Sequence, residues 1–144
     1  MTVPRIRVSD AAALLGVSDD TLRRWGEAGR IELRAEGRRL TVDGAELAAL
    51  AREIADESPL AGARPRTGSS ARNRIPGIVT RVERDGVMAQ VELQAGPFRI
   101  VSLMSREAAD ELELEPGRIA AASIKATTVV VEAESAPRRR AEPR

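Results

Sequence analysis

Between Asp56 and Ser69 the chain runs DESPLAGARPRTGS, a stretch with the proline, glycine and serine content of a linker and no apolar period. Before it, apolar residues recur at helical spacing; after it, they alternate with polar ones. A chain of 144 residues broken in this way holds two small domains rather than one large core. The pattern predicts a domain over residues 1–55, a linker over 56–69, a second domain over 70–132 and a disordered tail over 133–144. In that tail Pro137, Pro143 and the run Arg138-Arg139-Arg140 repeat the linker chemistry.

In the first part, Ser9 is placed to cap a short helix, Asp10 to Leu15, that ends at Gly16. Ser18 is placed to cap a second helix through about Ala28, with Asp19 and Asp20 in the first turn, where the macrodipole favours acids. Ala12, Leu15, Val17, Leu22 and Trp25 can meet across the Gly16 turn, the pattern of a helix-turn-helix. Ile31 to Arg34 and Arg38 to Val42 flank Ala35-Glu36-Gly37 as a small hairpin, a wing. Asp43 and Glu46 form a capping pair for a third helix, whose apolar stripe is Leu47, Leu50, Ala51 and Ile54.

The second part predicts strands at Gly77 to Arg84, Val87 to Leu93, Arg99 to Met104, Ile119 to Ile124 and Val129 to Val131. Asp85-Gly86 reads as the first hairpin turn, Ser105 as the cap of a short helix to about Leu112, and Glu115-Pro116-Gly117 as a turn. The expected fold is α+β in two domains: an N-terminal winged helix-turn-helix and a C-terminal five-stranded β-barrel of the OB type.

Composition removes several function classes. Cysteine and histidine are both absent, so disulfides, thiolate metal sites and Ser–His or Cys–His catalysis are excluded. No carboxylate pair suggests an active site, and neither catalysis nor a metal cation cofactor is expected. No apolar stretch reaches the ~20 residues that span a bilayer, and no signal-peptide core is present, so a cytoplasmic protein without a membrane partner is expected. Net charge is +1 and spread evenly, so any contact with nucleic acid must come from local clusters. Trp25 and Phe98 are the only aromatic residues, too few for a base-stacking platform.

Ala12, Leu15-Gly16-Val17-Ser18, Thr21-Leu22-Arg23-Arg24-Trp25, Gly29-Arg30-Ile31 and the wing before Val42-Asp43 resemble the DNA-binding domains of the MerR and excisionase-like families. The resemblance implies that the second helix enters the major groove of double-stranded DNA while the wing follows the phosphates. Thr21, Arg23 and Arg24 then become groove and phosphate contacts, and Arg34, Arg38 and Arg39 serve the wing. Arginine suits both tasks, reading guanine edges or clamping a phosphate. The competing reading is a solvated face for the arginines and core packing for Trp25. Useful affinity from so small a module requires a dimer on two half-sites.

Of the 23 basic residues, Lys125 alone is lysine. Its compact ammonium suits a small tetrahedral dianion better than the broad guanidinium fork does. Far upstream lies the polar cluster Ser70-Ala71-Arg72-Asn73-Arg74. With Gly77, Val79, Val101-Ser102, Leu114-Glu115-Pro116-Gly117 and Ile124-Lys125-Ala126-Thr127, this order resembles a single Mop domain (TOBE, molbindin), a molybdate-binding module. Molybdate and tungstate need donor ligands. The Ser70 hydroxyl, backbone N–H groups around Ala71 and Arg72, and the Lys125 ammonium are donors; Ala126, Thr127 and, more weakly, Ser102 complete the candidates. The resemblance implies a pocket between two subunits, hence a homo-oligomer, a dimer or a multiple of dimers. Arg72 in a salt bridge and Asn73 in a turn are the structural alternatives.

The combination predicts a molybdate- or tungstate-responsive transcriptional regulator. It resembles the ModE type in outline, although ModE-type proteins carry two tandem Mop domains and a different winged helix. The rival readings are an oxyanion storage oligomer and a DNA-binding protein whose barrel only oligomerises.

Overall fold

The computed structural model describes residues 3–62 and 68–133. The middle of the expected linker and nearly all of the expected tail therefore lie outside the described residues. The chain forms two compact units, divided between Gly62 and Ala63.

The first unit runs β1 (Arg5–Arg7), α1 (Val8–Leu15), α2 (Asp19–Glu27), β2 (Leu33–Glu36), β3 (Arg39–Asp43) and α3 (Gly44–Glu57). Its antiparallel sheet has the order β1-β3-β2, with Ile6 opposite Val42 and Val42 opposite Leu33. These residues pack on one helical cluster built from Val8, Ala11, Ala12, Leu22, Ile31, Leu47 and Leu50, with Leu22 and Val42 fully buried. Ser18 caps α2, its Oγ accepting the Thr21 N–H at 3.1 Å. Asp43 caps α3, Oδ1 accepting from Ala45 N–H at 2.9 Å and Glu46 N–H at 3.2 Å.

Two local expectations are corrected here. Ser9 is not a cap: α1 begins at Val8 behind Arg7, with no side-chain cap bond. β1 passes directly into the helix, and Val8 joins Ala11 and Ala12 on its buried face, so burial rather than capping sets the start. The wing turn lies later than expected. Glu36 is opposite Arg39, which makes Gly37-Arg38 the two-residue loop.

The second unit runs β4 (Asn73–Asp85), β5 (Met88–Ala95), β6 (Phe98–Ser105), α4 (Arg106–Glu111) and β7 (Ile119–Ile124), and ends in a 3₁₀ turn, Ala126–Thr128. These strands form one antiparallel sheet of order β6-β5-β4-β7. β4 serves two neighbours: Asn73 to Ile78 pair with β7, and Ile78 to Asp85 pair with β5. A bulge between Val79 and Arg81 marks the change, and bulges bend and twist a strand. At that point Val79 N–H donates to the Arg118 carbonyl and Gly117 N–H to the Val79 carbonyl, both at 2.8 Å. Val79, Ala89, Val91, Leu93, Ala109 and Leu114 form the core. Ser105 caps α4, its Oγ accepting the Ala108 N–H at 3.0 Å.

On the other face Glu92 is buried to 9 % exposure beneath the Arg99 guanidinium, with which it is paired. The hydrogen bond from Arg99 holds the Glu92 carboxyl below its ordinary range, outweighing the cost of burial.

The expected turn Asp85-Gly86 is shifted by one. Asp85 pairs with Met88, Gly86 (φ +40°) and Val87 form the loop, and Val87 is exposed rather than part of the strand. The left-handed backbone at the first loop position suits glycine, and the turn settles around it. The fifth strand expected at Val129–Val131 does not form. The 3₁₀ turn redirects the chain after Lys125, and these valines stand exposed without a ladder partner among the described residues. β6 and β7 are thus the two edges of the sheet, and residues of both line an apolar cleft of about 520 Å³.

Gly77 sits where β4 crosses closest to β5. A Cβ there would lie 2.7 Å from the Gln94 carbonyl oxygen and 3.1 Å from its carbon, both backbone atoms that cannot turn aside. Gly77→Ala is expected to destabilise the second unit by ~1–3 kcal/mol in urea unfolding. Gly62→Ala, which meets nothing within 4 Å, serves as control and should stay within ~0.5 kcal/mol of the parent. Equal midpoints for the two variants would mean that the close approach does not exist.

Candidate functional site

The two units present different surfaces. On the first, α2 exposes Asp19, Asp20, Arg23, Arg24 and Glu27 while burying Leu22. The Thr21 hydroxyl is held within the cap, accepting from Ser18 Oγ at 3.0 Å and from Arg24 Nη2 at 3.3 Å. Arg23 lines a shallow groove between α2 and the hairpin, with Gly26, Glu27, Leu33 and Leu40. Arg34 is bonded to Glu32 at 2.7 Å, and that bond lowers the Glu32 pKa. Arg38 stands in the wing loop and Arg39 beside it. Neither they nor Arg23 has an ion pair among the described residues.

Two further arginines of this unit, Arg5 and Arg30, are held by the fold. Arg5 spans the sheet to the buried Thr41, with Nη2–Oγ1 at 2.9 Å, and pairs with Glu36. Arg30 lies over the Trp25 ring, 4.5 Å from its centroid, and bonds Glu53 and Glu57 at 3.0 and 3.3 Å. Trp25 itself packs against the core. Of the six residues expected to face DNA, Arg23, Arg38 and Arg39 are free to do so, whereas Thr21, Arg24 and Arg34 are already engaged.

In the second unit the ladder brings two distant segments together. Asn73 is opposite Ile124, and its side-chain Nδ2 donates to the Ile124 carbonyl at 3.1 Å. Arg72 and Lys125 are the residues one step beyond this last pair, so the chain enters β4 from Arg72 where β7 leaves it toward Lys125. Ala71 is buried, and its N–H is used by Ser69 Oγ at 3.2 Å. Arg72 Nη1 donates to the Ser69 carbonyl at 2.9 Å, which folds the loop on itself rather than making a salt bridge. Ser70, Lys125, Ala126 and Thr127 are exposed. Lys125 leads the 3₁₀ turn, its carbonyl accepting the Thr128 N–H at 3.0 Å and the Thr128 hydroxyl at 2.9 Å. Ser102 lies on edge strand β6, opposite Val91, and lines the cleft together with Ser123 and Ile124 of β7.

One residue of the upstream polar cluster was not among the expected oxyanion donors. Arg74, opposite Ser123, is half-buried and has no ion pair among the described residues. Its signal was its spacing of two from Arg72, which on a strand means the same face. No group of three or more carboxylates fit to hold a metal ion occurs among the described residues. No helix among them is long and apolar enough to cross a membrane.

The family model for the TOBE domain matches residues 69–131, and that for a helix-turn-helix domain matches residues 6–54. A Haemophilus influenzae protein, "Probable molybdenum-pterin-binding protein", is 42% identical over 66 residues, which are 45% of this chain and 96% of that protein. The chain belongs to the TOBE-domain family. Its TOBE domain also aligns with a solved molybdate-binding protein from Sporomusa ovata, at 25% identity over 46% of this chain and 100% of the other, with TM-score 0.45. The cytoplasmic molybdate-binding protein ModG aligns at 42% identity over 40% of this chain and 42% of its own, with TM-score 0.39. The TOBE match contains both halves of the Ser70–Lys125 corner and the unpaired Val129–Val131 segment.

Asn73→Ala removes the side-chain tie between the two halves of the corner. It is expected to cost the TOBE domain about 1 kcal/mol in urea unfolding, the ordinary net worth of one such bond. It should also increase hydrogen exchange at Lys125 to Thr128. Unchanged exchange there would mean that Asn73 does not hold the corner together.

Proposed function

We propose that this protein is a molybdate- or tungstate-responsive DNA-binding regulator. The observation that carries the reading is the register of β4 on β7. It brings the start of β4, which follows Ser70 and Arg72, against the end of β7, which leads into Lys125, in a TOBE domain of a chain that also has a helix-turn-helix. Tetrahedral oxyanions carry no proton to donate at neutral pH, so a corner of hydroxyl, amide, guanidinium and ammonium donors matches their needs. The similarity to a protein named for molybdenum supports the ligand class.

In this reading Ser70, Lys125, Thr127 and the amides near Arg72 and Ala126 bind the oxyanion, and Ser102 is peripheral. Arg23, Arg38 and Arg39 reach the DNA phosphates and base edges, with Thr21, Arg24 and Arg34 contributing once their present bonds open. The anion regulates DNA binding if it interacts differently with the competent and incompetent states. A coupling of ~1–3 kcal/mol changes operator affinity ~5–150-fold. Neither half of the reading calls for catalysis, a metal cation or a membrane, and the setting is the cytoplasm.

Calorimetric titration with molybdate, tungstate and sulfate tests the anion half. Molybdate or tungstate should bind with sulfate silent, and Lys125→Ala should weaken binding well over ~10-fold, the loss of a charge-assisted contact. Selection from random duplexes tests the other half: the parent should enrich one motif, shifted in affinity by molybdate, and Arg23→Ala should enrich none. Anion binding without any enriched motif would favour the storage reading. A motif without anion binding would leave a TOBE domain that only assembles.

The barrel is proposed to close between two copies. Its sheet has free edges at β6 and β7 around an apolar cleft, while Val130 and Val131 are 85% and 86% exposed and β-branched. An unpaired edge and an unpaired β-prone segment are complementary. Val130→Lys should therefore lower the mass measured by light scattering from dimer, or a multiple of it, toward monomer. An unchanged mass would place the interface elsewhere.

A further inference from the structure

Residues 70–132 contain eight cations, and their pairing divides them sharply. Arg81, Arg84, Arg99, Arg106 and Arg118 each meet a carboxylate. Arg72, Arg74 and Lys125 meet none among the described residues, and all three belong to the corner where β4 begins and β7 ends. Arg72 at least bonds the Ser69 carbonyl. Arg74 and Lys125 have no side-chain hydrogen bond among the described residues.

These cations also share a face. Arg74 is opposite Ser123 and Asn73 opposite Ile124. Alternation along a strand then sets Arg74 and Ser123 on the side away from Asn73 and Ile124. Lys125 keeps an extended backbone (φ −65°, ψ 138°), which continues the alternation one more step and returns its side chain to the Arg74 side. At the other strand, Ala71 is buried and Arg72 exposed, in the same alternating sense. Arg74 and Lys125 are therefore diagonal neighbours across the ladder, a relation in which backbone positions lie ~7–8 Å apart and long side chains converge. Arg74 is half-buried as a residue and its charge has no counter-charge among the described residues, which leaves it available to an anion at this corner.

We propose that Arg74 is a third cation of the oxyanion site, facing Lys125 across the bound ion and setting affinity through charge. This rests on the reading that the corner takes a tetrahedral oxyanion. A unit charge ~6 Å from a dianion in a water-like dielectric corresponds to about a tenfold change in affinity. Between exposed groups that contribution is screened, since the Debye length falls from ~10 Å at 0.1 M salt to ~3 Å at 1 M.

The test is the molybdate dissociation constant of the full chain, at salt of about 0.02 M and about 0.5 M, for the parent, Arg74→Gln, Arg74→Lys and Lys125→Ala. Arg74→Gln should weaken binding about tenfold at low salt and about twofold at high salt. Arg74→Lys should recover most of the loss. Thermal midpoints without anion, equal across the Arg74 variants, separate a lost contact from a damaged fold; Arg74→Met, which keeps the apolar stem, replaces any variant that fails to fold. Parent binding that Lys125→Ala abolishes and Arg74→Gln leaves within twofold would overturn the role of Arg74 while the site stands. A loss of equal size at both salts would make Arg74 a packing residue and also overturn it. A parent that binds no molybdate removes the site and this proposal together.

Discussion

The bend of β4 is the constraint on which the second unit depends. One strand must pair with β7 along its first half and with β5 along its second, and it does so through Gly77 and the bulge at Thr80. Glycine admits the Gln94 carbonyl to a distance that any side chain would forbid. The bulge then rotates the strand so that its residues continue into the core around Val79. Without that bend the start of β4 would have no reason to meet the end of β7. The Asn73–Ile124 bond, the apposition of Arg72 with Lys125 and the cleft between the sheet edges all follow from it.

Charge pairing has a similar organising effect across both units. Arginines are abundant, and among the described residues many are held in place: Arg5 by Thr41 and Glu36, Arg30 by Trp25, Glu53 and Glu57, Arg84 by Asp110 and Glu115, Arg99 by Glu92. Exposed pairs of this kind add little stability each, so their value here lies in removing charge from surfaces that have no ligand to meet. Among the described residues, Arg23, Arg38 and Arg39 on the α2–wing surface and Arg74 and Lys125 at the β4–β7 corner have no such partner, as is also true of Arg7 and Arg52.

Signals written within a few residues were legible. Ser18, Asp43 and Ser105 cap the helices they were expected to cap, because capping is settled by one side chain and the next turn of backbone. Gly86 marked its hairpin, although the loop is Gly86-Val87 and Val87 leaves the strand. Ser9 misled because Val8 is drawn into the core, a demand made by residues far along the chain. β1 went unseen for the same reason: Arg5–Arg7 alternates over only three residues, too few to read as a strand, and is one because β3 offers it an edge. The converse holds for Val129–Val131, which has the composition of a strand and lacks a partner edge within the described chain.

The candidate site shows the same division. Lys125 and the Ser70–Arg74 cluster stood out by residue type, since composition and short-range order are properties of the chain itself. That they adjoin is a property of the β4–β7 ladder, which spans 51 positions between Asn73 and Ile124. That Ser102 lines one cleft with Ser123 and Ile124, and that Arg74 lies on the face of β4 that carries Ser123 across the ladder, are also decided by strand order and register. The sequence by itself determined which donors are present, where the helices begin once capped, and that the chain divides in two, because each rests on local conformational preference. Only the tertiary structure decided which donors meet, which cations stay unpaired and which strands remain edges, because hydrogen-bonded register and burial are set between segments that no local preference links.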